Sequence, residues 1–299
     1  MKALREDFFD NIGISEESKV RDWLDANCIK NYELIYNDDI LEIDVNGKVD
    51  LCYYKGHELP EYIQFGEVTG NFECCWSKLK TFRGFPRKCM ILNATASINL
   101  QSFMEKYKDD SKKIAFIEHC PECAHLYVNH CLGLFSLEGC PENVNWFECK
   151  GCVNLRSLKG APKKCSIFDC SECTKITTLE GLPKELDVLK CSGCHFLSKL
   201  KGCPKKVNTK FICSNCRNLT SLKYGPTSKV STEYNCAGCW SLRNLEGAPE
   251  EVGIFDCGHC EELTSLKGAP KKANAFHCSK PWKKSDVQAV CYANFIHIR

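Results

Sequence analysis

The sequence predicts an α/β repeat: a solenoid with one parallel β-sheet of about eleven short strands and a small helical cap at each end. Three observations predict it. A block of 21 residues recurs, apolar residues alternate at its start, and nearly every block closes on a Gly-x-Pro or equivalent turn. Residues 144–164 read VNWFECKGCVNLRSLKGAPKK, and the pattern restarts at Cys165 as CSIFDCSECTKITTLEGLPKE. With Val144 as position 1, Phe147 and Cys149 fall at positions 4 and 6, Cys152 at 9, Leu155 and Leu158 at 12 and 15, and Gly160 and Pro162 at 17 and 19.

Each feature has a mechanical reading. Positions 4 and 6 point to one face of a short strand. One such strand cannot bury its apolar face alone, but stacked copies bury a continuous core. The cysteine at position 9 is a small side chain placed to cap backbone groups where the chain leaves the strand. Glycine at 17 permits positive φ, and proline at 19 fixes its own φ and disfavours helix just before it. Two residues then lead into the next unit, so the return side is extended or a single tight turn rather than a full helix. The text L-x-x-L-x-L-x-x-C is the strand-and-turn half of a leucine-rich repeat. The position-6 residues are Leu51, Cys74, Ala94, Val128, Cys149, Cys170, Cys191, Cys213, Cys236, Cys257 and Cys278. Most steps are 21 residues; those to Cys213 and Cys236 are 22 and 23, and the step from Ala94 to Val128 is 34. Eleven strands at ~4.8 Å apiece span on the order of 50 Å.

This divides the chain into an N-terminal helical cap over 1–40, a leucine-rich-repeat solenoid over 41–278 carrying an insertion at 104–122, and a C-terminal cap over 279–299. In the first cap, Ser15-Glu16-Glu17 opens a helix to about Asn27, with Val20, Trp23 and Leu24 on one face. Tyr32–Ile35 reads as a strand. Leu41–Val45, Asn46-Gly47 and Val49–Leu51 read as a hairpin about an Asn-Gly turn. In the last cap, a short helix runs from Ser285 to about Tyr292, and Phe295–Ile298 pairs as a terminal strand.

Composition narrows the class. The 299 residues carry a net charge of +2, so no strong field favours nucleic acid or membrane. No stretch has the length of a membrane span, and Met1–Asp7 runs into acids without an apolar core of a signal peptide. The 25 cysteines suggest disulfides or zinc, but 19 of them fall at repeat positions with packing roles, eight at position 6 and seven at position 9. The C-x-x-C pairs from Cys149 to Cys260 are positions 6 and 9 of successive units rather than ligand pairs. Thiols in this number without an export signal imply a reducing compartment and a cytoplasmic location. A metal site is expected at none of the ladder cysteines; the alternative is a tetrahedral zinc site from Cys120, Cys123, His130 and Cys131. Oxidation of stacked thiols would cross-link the ladder as damage.

Beyond composition, the text Ile43-Asp44-Val45, Gly47, Val49-Asp50-Leu51, Pro60, Phe65-Gly66 and the S-L-x-G-x-P units resembles a family of leucine-rich-repeat proteins encoded by bacteriophages and some bacteria. The resemblance covers roughly 15–299 and implies the fold; it carries no activity. More distantly the repeats are similar to those of secreted bacterial ubiquitin-ligase effectors, whose separate catalytic domain has no counterpart here.

No phosphate loop, zinc-protease or nucleophile-elbow motif is present, so neither an enzyme nor a cofactor is expected. The functional surface is then the outward row of the strands. Trp146, Ile167 and Val188 at position 3 would form an apolar anchor, with Glu148, Asp169, Lys190, Lys210, Ile212 and Asp256 as its flank. Lysines after the prolines form a second stripe, broken by glutamates, which argues against a nucleic-acid track. The function expected is a non-enzymatic scaffold binding a protein through its sheet face or the 104–122 insertion, and acting, if phage-encoded, in host cytoplasm on a host or virion protein. The alternatives are a zinc- or nucleic-acid-binding module and a structural, self-associating or virion component.

Overall fold

A computed structural model describes residues 15–38, 40–79, 82–96 and 120–299 of the chain. They form a solenoid of about eleven turns whose strands make one 15-stranded sheet. Helix α1 is Glu16–Ala26, and the strands in chain order are β1 Tyr32–Asn37, β2 Ile40–Val45, β3 Val49–Asp50, β4 Phe65–Val68, β5 Asn71–Glu73 and β6 Lys88–Asn93. There follow β7 Glu122–Tyr127, β8 Trp146–Glu148, β9 Ile167–Asp169, β10 Glu185–Lys190, β11 Lys206–Ile212, β12 Val230–Asn235, β13 Glu251–Asp256 and β14 Lys272–Cys278. Helix α2 is Lys284–Gln288, and β15 Tyr292–Ile298 ends the sheet. Eleven of these strands belong to the counted units. The other four are β1, the terminal β15, and β2 and β4, which exist because the first two units split into two pieces a strand that later units keep whole.

The caps form as their sequences direct. Ser15 accepts a hydrogen bond from the Ser18 amide at 3.1 Å, and Glu16 and Glu17 sit in the first turn, where the helix end is positive. Val20 and Leu24 are buried, and the Trp23 ring lies 6.1 Å from Tyr54 and 6.4 Å from Phe65, which seals the first layer. The Asn-Gly hairpin is corrected. β2 pairs antiparallel with β1, Asn37 opposite Ile40, while β3 pairs in parallel with β5. Asn46-Gly47 is a corner of the stack: the Asn46 amide donates to the Asn31 carbonyl and the Gly47 amide to Thr69 Oγ1. The local turn signal is satisfied by neighbours 15 and 22 residues away instead of by a facing strand.

From β6 onward the ladder is parallel and in register, position on position. The 34-residue step leaves the sheet unbroken, because β6 and β7 pair directly from Lys88 opposite Glu122 to Asn93 opposite Tyr127. The predicted insertion lies outside the described residues over 104–119; Glu122, assigned to it, already opens β7. The 22-residue step is absorbed by a bulge: β11 spends three residues from Val207 to Lys210 where β10 spends two from Leu186 to Val188. That bulge keeps both Val207 and Phe211 inside. The 23-residue step keeps the bulge and adds one residue between Pro226 and Val230, while Tyr224 takes the positive φ that glycine holds at the same place in other turns.

The core is a stack of identical positions. Position 4 buries Phe147, Phe168, Leu189, Phe211, Tyr234, Phe255 and Phe276 completely, with ring centroids 4.9 to 5.4 Å apart where aromatics adjoin. Positions 6 and 9 hold the thiols, and all cysteines are free. Each position-9 sulfur donates to the position-6 carbonyl of the preceding unit: Cys131 to Ala94, Cys152 to Val128, Cys173 to Cys149, Cys194 to Cys170, Cys216 to Cys191, Cys239 to Cys213 and Cys260 to Cys236, at 3.1 to 3.4 Å. The predicted capping role is thus carried out between units, so these sulfurs staple the stack rather than their own turn. Position 8 is left-handed in every turn from Tyr53 to His259, whether or not it is glycine. Gly151 occupies it where a Cβ would run into the His130 ring of the preceding turn at 2.2 Å.

Candidate functional site

Register converts sequence positions into rows on the outer face of the sheet. The position-3 row places His125, Trp146, Ile167, Val188, Lys210 and Glu233 side by side on successive strands. The position-5 row beside it places Tyr127, Glu148, Asp169, Lys190, Ile212 and Asn235 together, with Asp256 next on β13. Trp146, Ile167, Val188 and Ile212 are each half-buried. Trp146, Ile167 and Val188 adjoin along the position-3 row, and Ile212, read from sequence as part of the flank, follows in the position-5 row of β11.

Two of the acids expected at its flank are corrected. Asp169 and Asp256 are buried, 7% and 5% exposed, because each carboxylate bends back to accept the amide two residues on, from Ser171 and Gly258, at 2.9 Å. Their second oxygens face basic side chains from further along the sheet. Lys190 lies 3.6 Å from Asp169, while Arg299 and His277 lie 3.1 and 3.6 Å from Asp256. An Asx turn needs a side-chain acceptor at position 5, and Asp50, Asn93 and Asn235 supply the same bond in other units. Asp169 and Asp256 are therefore first of all parts of the fold. Lys210, 3.8 Å from Glu233, is also paired across the strands. Asp256 closes the floor of an open groove of ≈ 620 Å³ that Trp240, His259 and Arg299 line at the far end of the sheet.

Trp146 and Glu148 anchor a cluster that counting from residue 146 onward misses. The His125, Tyr127 and Trp146 rings meet at steep angles, with Trp146 centroids 5.9 Å from both others and His125 6.3 Å from Tyr127. Trp146 Nε1 donates to one Glu148 oxygen at 2.8 Å, and Asn129 Nδ2 to the other at 2.9 Å. Partial burial, and then the negative charge of Glu148 and Glu73, raise the Tyr127 hydroxyl above the ordinary tyrosine value. Carrying the register back across the long step, with Val128 as position 6, finds His125 and Tyr127 from sequence.

The proposed zinc ligands do not converge. Cys123 lies at the start of β7, while His130 and Cys131 lie beyond its far end, with Cys131 Sγ committed to the Ala94 carbonyl and Cys120 on the near side. Among the described residues no group of three or more His, Cys, Asp and Glu side chains has metal-binding geometry. The lysine stripe is matched by acids of the preceding unit: Lys163 by Glu142, Lys206 by Glu185, Lys271 by Glu250, while Arg87 meets Glu42 at 2.8 Å. Among the described residues no helix is long and apolar enough to cross a membrane. Comparison with protein-family models, with curated proteins and with solved structures finds no match for this chain.

Proposed function

We propose that this chain is a non-enzymatic scaffold that binds a protein partner through the outer face of its sheet. The observation that supports it is the strip formed by Trp146, Ile167, Val188 and Ile212: four apolar side chains on adjacent strands, facing out where polar residues would serve the fold equally well. It is rimmed by charged side chains, among them the pairs Asp169–Lys190 and Glu233–Lys210, the anatomy of a protein interface with an apolar centre and a polar edge. The fold contributes rigidity, since every residue of the strip is fixed by parallel pairing on both sides. Following the motif resemblance stated above, we place the chain among phage- or bacterium-encoded leucine-rich-repeat proteins, with a host or virion protein as partner. Its 25 unbonded thiols fit a reducing cytoplasm.

The test is capture and reconstitution. The chain, Trp146→Ala and Val188→Lys are each immobilised, a protein retained by the first is identified, and its complex is rebuilt from purified components. Both variants are expected to lose at least about tenfold in affinity, as removal of a central aromatic anchor does. Equal binding by all three proteins overturns the sheet-face reading. A second reading, self-association, is favoured by the open outer edge of β15, where Tyr292 and Phe295 are 70% and 69% exposed. Light scattering before and after Phe295→Lys distinguishes it.

A further inference from the structure

Six carboxylates occupy the two outward rows of the sheet, and four of them are matched by a cation. Asp50 has Lys48 at 3.2 Å, Asp169 has Lys190, Glu233 has Lys210, and Asp256 has Arg299. Glu73 and Glu148 form no ion pair among the described residues. Glu73 accepts from Asn71 at 3.2 Å, and Glu148 accepts from Trp146 and Asn129, so both carboxylates are held in place by neutral donors. They flank the aromatic corner formed by His125, Tyr127 and Trp146: in the position-5 row the order is Glu73, Asn93, Tyr127, Glu148.

We propose that this corner is a recognition site for a guanidinium group, an arginine side chain presented by the partner protein. The inference rests on the sheet-face reading and names the chemistry of what docks there. Tyr127 and Trp146 stand nearly perpendicular, at 82°, and His125 stands at 52° to Trp146, so the rings present faces in more than one plane. A cation is attracted to an aromatic face within about 6 Å of its centroid. The adjoining carboxylate adds a charge-assisted hydrogen bond. A planar guanidinium satisfies both demands at once, by stacking on a ring and pointing its edge at an oxygen; an ammonium cannot stack. Trp146 has two tasks in this arrangement. Its indole N–H orients Glu148, and its face forms one wall. The remaining acids of the rows need no such visitor, because the chain already supplies their cations.

The probe is the capped tripeptide Gly-Arg-Gly, with Gly-citrulline-Gly as its neutral isostere. The readout is the Trp146 indole N–H resonance, assigned by its disappearance in Trp146→Phe. The arginine peptide is expected to shift that resonance saturably in the millimolar range, and the citrulline peptide to leave it in place. Glu148→Gln is expected to weaken the arginine peptide about tenfold, the scale of one hydrogen bond to a charged group. Glu73→Gln, at the rim and away from the Trp146 hydrogen bond, is expected to weaken it by a smaller factor with the fold untouched. Equal shifts from the two peptides, or a Glu148→Gln protein that binds arginine as tightly as the original, overturn the proposal. Its failure is separable from failure of the scaffold reading. If Val188→Lys abolishes partner binding while arginine and citrulline act alike, the surface stands and the guanidinium falls. If arginine binds selectively while Val188→Lys leaves the partner bound, the corner stands and the apolar strip falls.

Discussion

Tyr234 occupies an inward position that other units fill with phenylalanine or leucine, and its hydroxyl is wholly buried without a hydrogen-bond partner. The ring stacks between Phe211 at 4.9 Å and Phe255 at 5.4 Å, so the apolar part is well used. The oxygen ends close to Gly225, where even a Cβ would come within 3.2 Å of it. An unsatisfied buried hydroxyl costs about 1–3 kcal/mol. Tyr234→Phe removes that cost and keeps the stack, so it is expected to stabilise the chain by about 1 kcal/mol in urea unfolding; a loss of stability would show that the oxygen has a partner. The inward place of this ring is legible from its repeat position, but the unsatisfied state of its hydroxyl is not, because it depends on what the neighbouring turns bring against it. Asp169 and Asp256 show the same limit. Their alternation places them on the outer face, and only the local bond to the amide two residues on reveals that they are folded down into it.

At the scale of the element, one turn of the solenoid is fixed by two left-handed residues, at positions 8 and 17. Position 17 tolerates less than position 8. Gly160 has φ +88°, and a Cβ there would lie 2.4 Å from the backbone of Glu138 in the turn below. Position 8 accepts Trp76, Glu172 and Asn215 at similar φ with their side chains exposed. Gly160→Ala is therefore expected to destabilise by about 1–3 kcal/mol from the left-handed conformation alone, with the clash in addition. Glu172→Gly, at position 8, is expected to be close to neutral. Chemical denaturation of the two variants checks the contrast, and equal losses would refute it. The glycine of Gly-x-Pro was legible as a turn signal, and the cysteine of position 9 as a cap. The Asn46-Gly47 hairpin misleads because a short-range turn preference is overridden when a strand of the next unit offers better pairing. Of the four strands outside the repeat count, β1, β2 and β15 were legible from alternation at the two ends of the chain, whereas the split that separates β4 from β5 was not, because it depends on what lies alongside, which a repeat period does not encode.

Over the whole molecule, the thiols whose shift is dominated by burial link stability to pH in one direction. Burial pushes the Cys74, Cys149 and Cys257 thiols well above the ordinary cysteine value of 9.0, and burial likewise raises Cys203. All four are at most 6% exposed in the fold and become ordinary thiols on unfolding. Below pH 9 both states hold these protons, and stability is indifferent to them. Above it the unfolded chain releases protons that the folded chain keeps, so the unfolded state is favoured as pH rises. Each such thiol contributes a slope of about 1.4 kcal/mol per pH unit. Four acting together give about 5–6 kcal/mol per unit, comparable with the whole stability of many domains. Because each unit is held only by its neighbours, loss at a few turns propagates along the stack. The expected outcome is a urea midpoint that is level from about pH 7 to 8.5 and falls steeply between about pH 9 and 10, under reducing conditions that exclude disulfide formation. Cys257→Ala is expected to lie lower at neutral pH, through the cavity it leaves, yet to decline less steeply, by one thiol's share. A midpoint unchanged across that alkaline range would mean that the folded chain releases these protons as readily as the unfolded one, and would remove the basis for treating the sulfurs as neutral packing groups along the length of the solenoid.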